Sequence, residues 1–204
     1  MARRIGPKHT LCRTLGVKLC DSFKCPITKR NYPPGQHGQK KVRAKISDYG
    51  RQLREKQKAK FIYGLLEKQF HITFNRAQKL HGSAGSNLLT LLEKRLDNVV
   101  YRSGLAATKQ LARQLVNHGH FEINGRAIDI PSYTVKVGQV ISVRPGKQNL
   151  TYWKSVVENT KKVDVPGWLA TDLKKLSITV LADPKFEDLP QNIATHLIVE
   201  FYSR

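Results

Sequence analysis

The chain has 204 residues, with 36 Lys and Arg against 15 Asp and Glu and 40% hydrophobic residues, giving a formal net charge of +21 and a sequence pI near 10.2. That apolar content builds one or two domains with modest cores and excludes disorder throughout. No stretch approaches the ~18 apolar residues of a membrane span, and the opening MARRIGPKHTLCRTLG lacks the apolar centre of a signal peptide, so a cytoplasmic protein without membrane contact is expected.

Charge is concentrated at the start. The first 60 residues hold 17 Lys and Arg against three acids, Asp21, Asp48 and Glu55, a net +14. Such a field holds a polyanion, with nucleic acid as first candidate. A basic membrane helix would set its cations opposite a wide Trp/Phe/Leu face, but this segment has one Phe and no Trp. Residues 1–46 show turn formers without sustained periodicity, and Tyr32-Pro33-Pro34-Gly35-Gln36-His37-Gly38 cannot be helical because each proline restricts its neighbour. An extended basic arm is expected there.

Ser47 is a candidate N-cap, with Asp48 in the first turn of a helix running to about Phe61. Tyr49 and Leu53 should face inward, with Arg51, Arg54 and Lys58 on the other face. A second helix is predicted from Leu65 to Leu80, broken by His81-Gly82-Ser83-Ala84-Gly85. Ser86 can cap a third, in which Leu88, Leu91, Leu92, Leu96, Val99 and Val100 keep helical spacing until Ser103-Gly104. Thr108 can cap a fourth, with Leu111, Leu115 and Val116 inward, Lys109 and Arg113 outward, and Gly119 as its stop.

The period then falls to two. Phe121–Ile123, the turn pair Asn124-Gly125 and Arg126–Ile128 read as a tight hairpin, and Thr134–Val137 and Val140–Val143 as further strands around Gly138. A helix near Ser155–Lys161 and a strand at Leu176–Val180 follow. Ile193–Tyr202 is ambiguous between strand and helix.

Two stretches resemble a known family. Leu92-Glu93-Lys94-Arg95-Leu96-Asp97-Asn98-Val99-Val100-Tyr101-Arg102, then Ala107-Thr108-Lys109-Gln110 and Ala112 to Gly119, are similar to the signature of the fourth protein of the small ribosomal subunit, in its bacterial or organellar branch. The likeness continues through Ile123-Asn124-Gly125-Arg126 and Pro131-Ser132-Tyr133. It extends to Tyr32–Gly38, to Ser47-Asp48-Tyr49-Gly50 with Gln52–Lys58, and to the ending Leu197–Ser203.

The resemblance implies an α+β fold: a mainly helical first domain interrupted by an α+β RNA-binding domain of two helices plus antiparallel strands, with the C-terminal segment returning to the first domain as helix. The expected boundaries are a basic arm at 1–46, a helical domain at 47–91 completed by 190–204, and an α+β domain at 92–189 with its RNA-binding module at about 92–150. It also implies a primary binder of 16S rRNA that nucleates assembly on the 5′ domain, lies beside the fifth small-subunit protein near the channel where mRNA enters, and influences decoding accuracy.

Multi-helix RNA offers phosphates and shape more than readable base edges. The candidate RNA-binding residues are therefore cations: Arg3, Arg4, Lys40, Lys41, Arg43 and Lys45 in the arm, Arg51, Arg54 and Lys58 after Ser47, and Arg95, Arg102, Lys109, Arg113 and Arg126 in the module.

His9, Cys12, Cys20 and Cys25 place four soft or borderline ligands within 17 residues, a set that suits tetrahedral structural zinc. Some members of the resembled family carry a four-cysteine zinc knuckle here; in this sequence His9 stands where the first cysteine would be. The alternative is three unliganded thiols and an RNA-facing histidine. His37 and His118 have no partner pattern and read as RNA-facing or surface residues.

Two other functions draw on the same residues. Arg95-Leu96-Asp97 resembles the Arg-Leu-Asp of pseudouridine synthases, but no catalytic domain of ~150–200 residues is left over, and Asp97 is expected to pair with Arg or Lys on a helix surface. No enzyme is expected. A free-standing RNA-binding translational regulator using the same module is the second alternative. The acid-bearing Ala182–Leu189 is either a solvated loop or a contact for a neighbouring protein.

Overall fold

A computed structural model describes residues 6–20, 22, 24–41, 45–158 and 165–203, without the side chains of Lys41 and Phe186. The chain forms two compact units. One runs to Gly85 and resumes at Gln191, and the other spans Ser86–Pro190.

The first unit starts with α1 (Lys8–Leu15), a 3-10 turn (Pro26–Thr28) and α2 (Gly38–Lys41). The expectation of an arm without helices is corrected for these spans. The one residue α1 buries is Cys12, so counting apolar positions gives no sign of the helix. The Tyr32–Gly38 turn closes tightly: a Cβ on Gly38 would lie 2.0 Å from the Pro33 carbonyl oxygen, so only glycine fits.

Next come α3 (Asp48–Ile62) and α4 (Glu67–Gln78). Ser47 caps α3 as expected, its Oγ accepting the Gly50 N–H at 3.2 Å. The inward face differs from the prediction. Tyr49 is 51% exposed, while Gln52, Lys56 and Ala59 are buried. The cause is α10 (Thr195–Tyr202), the ambiguous C-terminal segment, which is a helix packed on α3. Gln52 Nε2 donates to Glu200 Oε2 at 3.0 Å, and Glu55 Oε2 accepts the Ala194 N–H at 3.2 Å, taking up a backbone donor at the start of α10. The polar side chains bury here because each meets a specific partner: Gln52 meets Glu200, and Lys56 meets Glu67 of α4 and the Phe201 ring.

α5 (Ala84–Glu93) and α6 (Leu96–Arg102) replace the single helix predicted across 88–103. Arg95 is extended (φ −70°, ψ 137°), and the chain around it joins the 131–135 segment. The N–H groups of Leu96 and Asp97 donate to the Tyr133 and Pro131 carbonyls, and that of Val135 to Lys94. Donors orphaned at the start of α6 are thereby satisfied. Leu92, Leu96 and Val99 stay in helical phase across the break, so periodicity could not reveal it. The same contact takes the place of the predicted strand at 134–137; only Thr134 pairs, opposite Arg95.

α7 (Lys109–Asn117) is capped by Thr108 Oγ1, which accepts the Leu111 N–H. An antiparallel sheet follows, of β1 (Phe121–Ile123), β2 (Arg126–Ile128), β3 (Val140–Val143), β4 (Leu169–Asp172) and β5 (Ser177–Val180), in the order β2-β1-β3-β5-β4. Asn124 and Gly125 both have positive φ (48° and 80°), the tight turn the hairpin pattern requires. Alternation puts Phe121, Ile123, Ile141, Val143, Ile178 and Val180 in the core with Leu96, Val99 and Leu115. α8 (Pro145–Gln148) leads into α9 (Thr151–Glu158), which starts earlier than predicted; the predicted end, 159–161, lies outside the described residues. α9 buries Trp153 edge-on to Phe121, with Trp153 Nε1 donating to His120 Nδ1 at 3.1 Å. No helix is long and apolar enough to cross a membrane among the described residues.

Candidate metal centre and nucleic-acid interface

α1 sets His9 and Cys12 three residues apart, on one helix face. The loop after Gly16 brings Cys20 and Cys25 to that face. The ligand atoms of His9, Cys20 and Cys25 all lie within 4.8 Å of one another, and Cys20 Sγ is 3.6 Å from His9 Nδ1. Tetrahedral zinc–thiolate bonds of ~2.3 Å imply sulfur–sulfur edges of about 3.8 Å, so a small contraction closes this set on an ion. Cys12 falls outside that circle but adjoins it, fully buried, its thiol interacting with Cys20 and Cys25 and accepting the Leu19 N–H at 3.3 Å.

The thiols are electrostatically unequal. Burial, reinforced by the thiols of Cys25 and Cys12, pushes Cys20 up to about 11. For Cys25 burial also acts upward, but hydrogen bonds from the Ile27 N–H, Cys20, His9 and Cys12 outweigh it and lower the thiol to about 7. The donor set therefore already holds one sulfur inclined to the thiolate a metal needs. Arg13 fastens the knuckle to the next turn: its Nε and Nη2 donate to the Tyr32 and Pro33 carbonyls at 3.0 and 3.3 Å, and its guanidinium lies 4.8 Å from the Tyr32 ring centre.

The candidate RNA-binding cations divide sharply by environment. Arg3, Arg4 and Arg43 lie outside the described residues, as does the Lys41 side chain. Lys40, Lys45, Arg54 and Arg126 are exposed and face no carboxylate among the described residues. Arg51 is exposed but pairs with Asp48 at 2.7 Å, and Lys58 pairs with Glu55 at 2.9 Å. Lys109 lies 5.3 Å from the Tyr101 ring centre.

Three module arginines are engaged internally. Arg95, 5% exposed, grips Asp97 with two hydrogen bonds at 3.1 and 2.8 Å, and Arg113 reaches the same carboxylate at 3.0 Å. Arg102 grips Glu93 the same way at 3.1 and 2.8 Å, while Glu93 also accepts from Asn98 Nδ2. Asp97 does pair with arginine as expected, but in a buried cluster instead of on a helix surface. These arginines organise the module before they meet any ligand. Lys68, Arg76 and Lys79 of the α4 region are also exposed cations, and none of them stood out in the sequence, although Arg76 and Lys79 lie three apart. The acid-bearing loop is partly internal: Asp183 neutralises Lys94 at 2.6 Å, and Pro184 and Leu189 are buried.

Comparison with known proteins agrees across the whole length. Residues 3–93 match the model of the ribosomal protein S4/S9 N-terminal domain, and residues 94–141 match that of the S4 domain. The small ribosomal subunit protein uS4 of Chloroflexus aurantiacus is 53% identical, that of Roseiflexus castenholzii 50% and that of Clostridioides difficile 50%; each alignment covers 100% of both chains.

Proposed function

The chain belongs to the uS4 family of small ribosomal subunit proteins, structural components with an RNA-binding S4 domain, and from that premise we propose that it is a primary 16S rRNA-binding protein that nucleates assembly on the 5′ domain. The observation that carries this reading is the charge. A net +21 lies on a chain in which exposed Lys40, Lys45, Arg54, Lys68, Arg76, Lys79 and Arg126 face no carboxylate among the described residues, while the helices of its module are locked by their own buried ion pairs. Exposed Lys and Arg gain affinity by releasing RNA counterions, and the locked module supplies shape.

In this reading His9, Cys12, Cys20 and Cys25 hold a structural zinc. The donor chemistry fits it, and the ion stabilises a segment with too little apolar surface to fold alone. Residues 31–46, with Lys40 and Lys45 exposed, would face the channel where mRNA enters, and the fifth small-subunit protein would be a neighbour; both assignments rest on family resemblance.

Sucrose-gradient sedimentation in high magnesium tests the reading. Near one copy per small subunit is expected. Persistent recovery at the top of the gradient would favour a free-standing translational regulator instead.

A further inference from the structure

On the helical side of the second unit, cations carry their own counter-ions: Lys94 with Asp183, Arg95 and Arg113 with Asp97, Arg102 with Glu93. The end of the sheet where β1 and β5 begin and β3 stops is different. Register sets Phe121 beside Val143, and the Val143 N–H donates to the Leu176 carbonyl at 3.1 Å. Arg144 follows immediately, Lys174 and Lys175 lie in the turn leading to Leu176, and Lys147 is in α8. Arg144 Nη1 donates to the Gly119 carbonyl at the end of α7 at 3.4 Å, and its backbone N–H donates to the His120 carbonyl at 2.9 Å. The helix C-terminus thus orients the guanidinium without neutralising it.

Histidines complete the cluster. His118 is exposed, with its ring 6.4 Å from that of His120. Burial first, then Lys147 and His118, lower the pKa of His120. Among the described residues the charged ends of Arg144, Lys147 and Lys174 meet no carboxylate. Lys175 Nζ is 4.0 Å from Asp172 Oδ2, a long pair at the distance limit, while Asp172 Oδ1 accepts the backbone N–H groups of Lys174 and Lys175. Among the described residues register also brings Asp129, exposed after β2, to this end, and Glu122 one position inward, where its Oε1 accepts from Ser142 Oγ at 3.0 Å. The adjacent strands β1, β3 and β5 spread the cations over about 10 Å.

We propose that this end of the sheet is a second RNA-binding surface, on which Arg144, Lys147, Lys174 and Lys175 hold the sugar-phosphate backbone of an RNA helix. These residues lie beyond residue 141, where the match to the S4 domain ends. The surface fits phosphate because its cations cluster and, Lys175 apart, face no carboxylate among the described residues. The assignment rests on the rRNA-binding reading above.

The test is binding of the full chain to protein-free 5′-domain 16S rRNA over a salt series. The variant Arg144→Gln/Lys147→Gln/Lys174→Gln/Lys175→Gln should bind at least tenfold more weakly, with a log–log salt slope shallower by roughly 2–4. Wild-type slope and affinity in this variant would overturn the inference, whereas failure of the wild-type chain to bind would instead overturn the rRNA reading. Lysine acetylation of the wild-type complex covers the case of a variant that does not fold. Protection of Lys147, Lys174 and Lys175 by rRNA alone is expected; protection only in the assembled subunit would overturn the RNA assignment in favour of an acidic protein partner.

Discussion

The Tyr202 hydroxyl donates to Glu67 Oε1 at 2.9 Å, joining residues 135 apart in sequence. The same carboxylate receives Lys56 Nζ at 2.7 Å and Lys60 Nζ at 2.8 Å. Lys56 is buried, and its ammonium lies 4.6 Å from the Phe201 ring centre. The last turn of α10 is therefore tied to α3 and α4 through one acid.

Burial alone would raise the Glu67 pKa, but hydrogen bonds from Lys56, Lys60 and Tyr202 overcome it and lower the group from its ordinary 4.5 to about 2. A lowered folded pKa gives stability that is fully present above about 4.5 and lost as pH falls through about 2. Glu67 is 47% exposed, so solvent screening limits the pair to about 1 kcal/mol. Denaturation of wild type and Glu67→Gln should differ at pH 7 and converge as pH approaches 2. A gap that widens on acidification would contradict this account.

Replacing Asp97 with Asn leaves the buried Arg95 guanidinium without its carboxylate. The expected loss is about 3–5 kcal/mol in the stability of the second unit, read by chemical denaturation. Destabilisation below about 1 kcal/mol would show that the cluster does not organise the module.

The division between internally paired and exposed cations predicts two kinds of RNA-binding defect. Arg54→Gln and Arg126→Gln should each make the salt slope shallower by roughly 0.7–0.9 while leaving the melting temperature alone. Arg102→Gln should mainly lower the melting temperature, because it leaves Glu93 buried without its arginine. The opposite pattern would return the module arginines to a direct phosphate role.

Purified protein should carry zinc at one equivalent, with Cys12, Cys20 and Cys25 slow to alkylate under native conditions. Cys25→Ser should lose most of the metal and expose Cys12 to alkylation. Metal-free protein with freely reactive thiols would support the reading of three unliganded cysteines.

Much of the second unit was legible because its signals are local. Thr108 as a cap, Asn124-Gly125 as a turn, and alternating apolar residues along β1 and β3 each act within a few residues of themselves. What escaped depended on distant chain. The break at Arg95 exists because Tyr133 and Pro131 supply carbonyls to the start of α6, and the buried face of α3 is polar because Glu200 and Glu67 complement it. The cluster of His9 with Cys20 and Cys25 was visible by residue type and spacing. The fate of Arg95, Arg102 and Arg113 was not, since an arginine at helical spacing looks the same whether it meets phosphate or a buried carboxylate.

The measurement that bears most directly on the central claim is equilibrium binding of the full chain to protein-free 5′-domain 16S rRNA, with no other ribosomal protein present. Saturable one-to-one binding is predicted, with affinity falling on a log–log salt plot by roughly 0.7–0.9 per phosphate contact and well above that for an unrelated RNA of equal length. Binding that is indifferent to salt, or equal on the unrelated RNA, would contradict it.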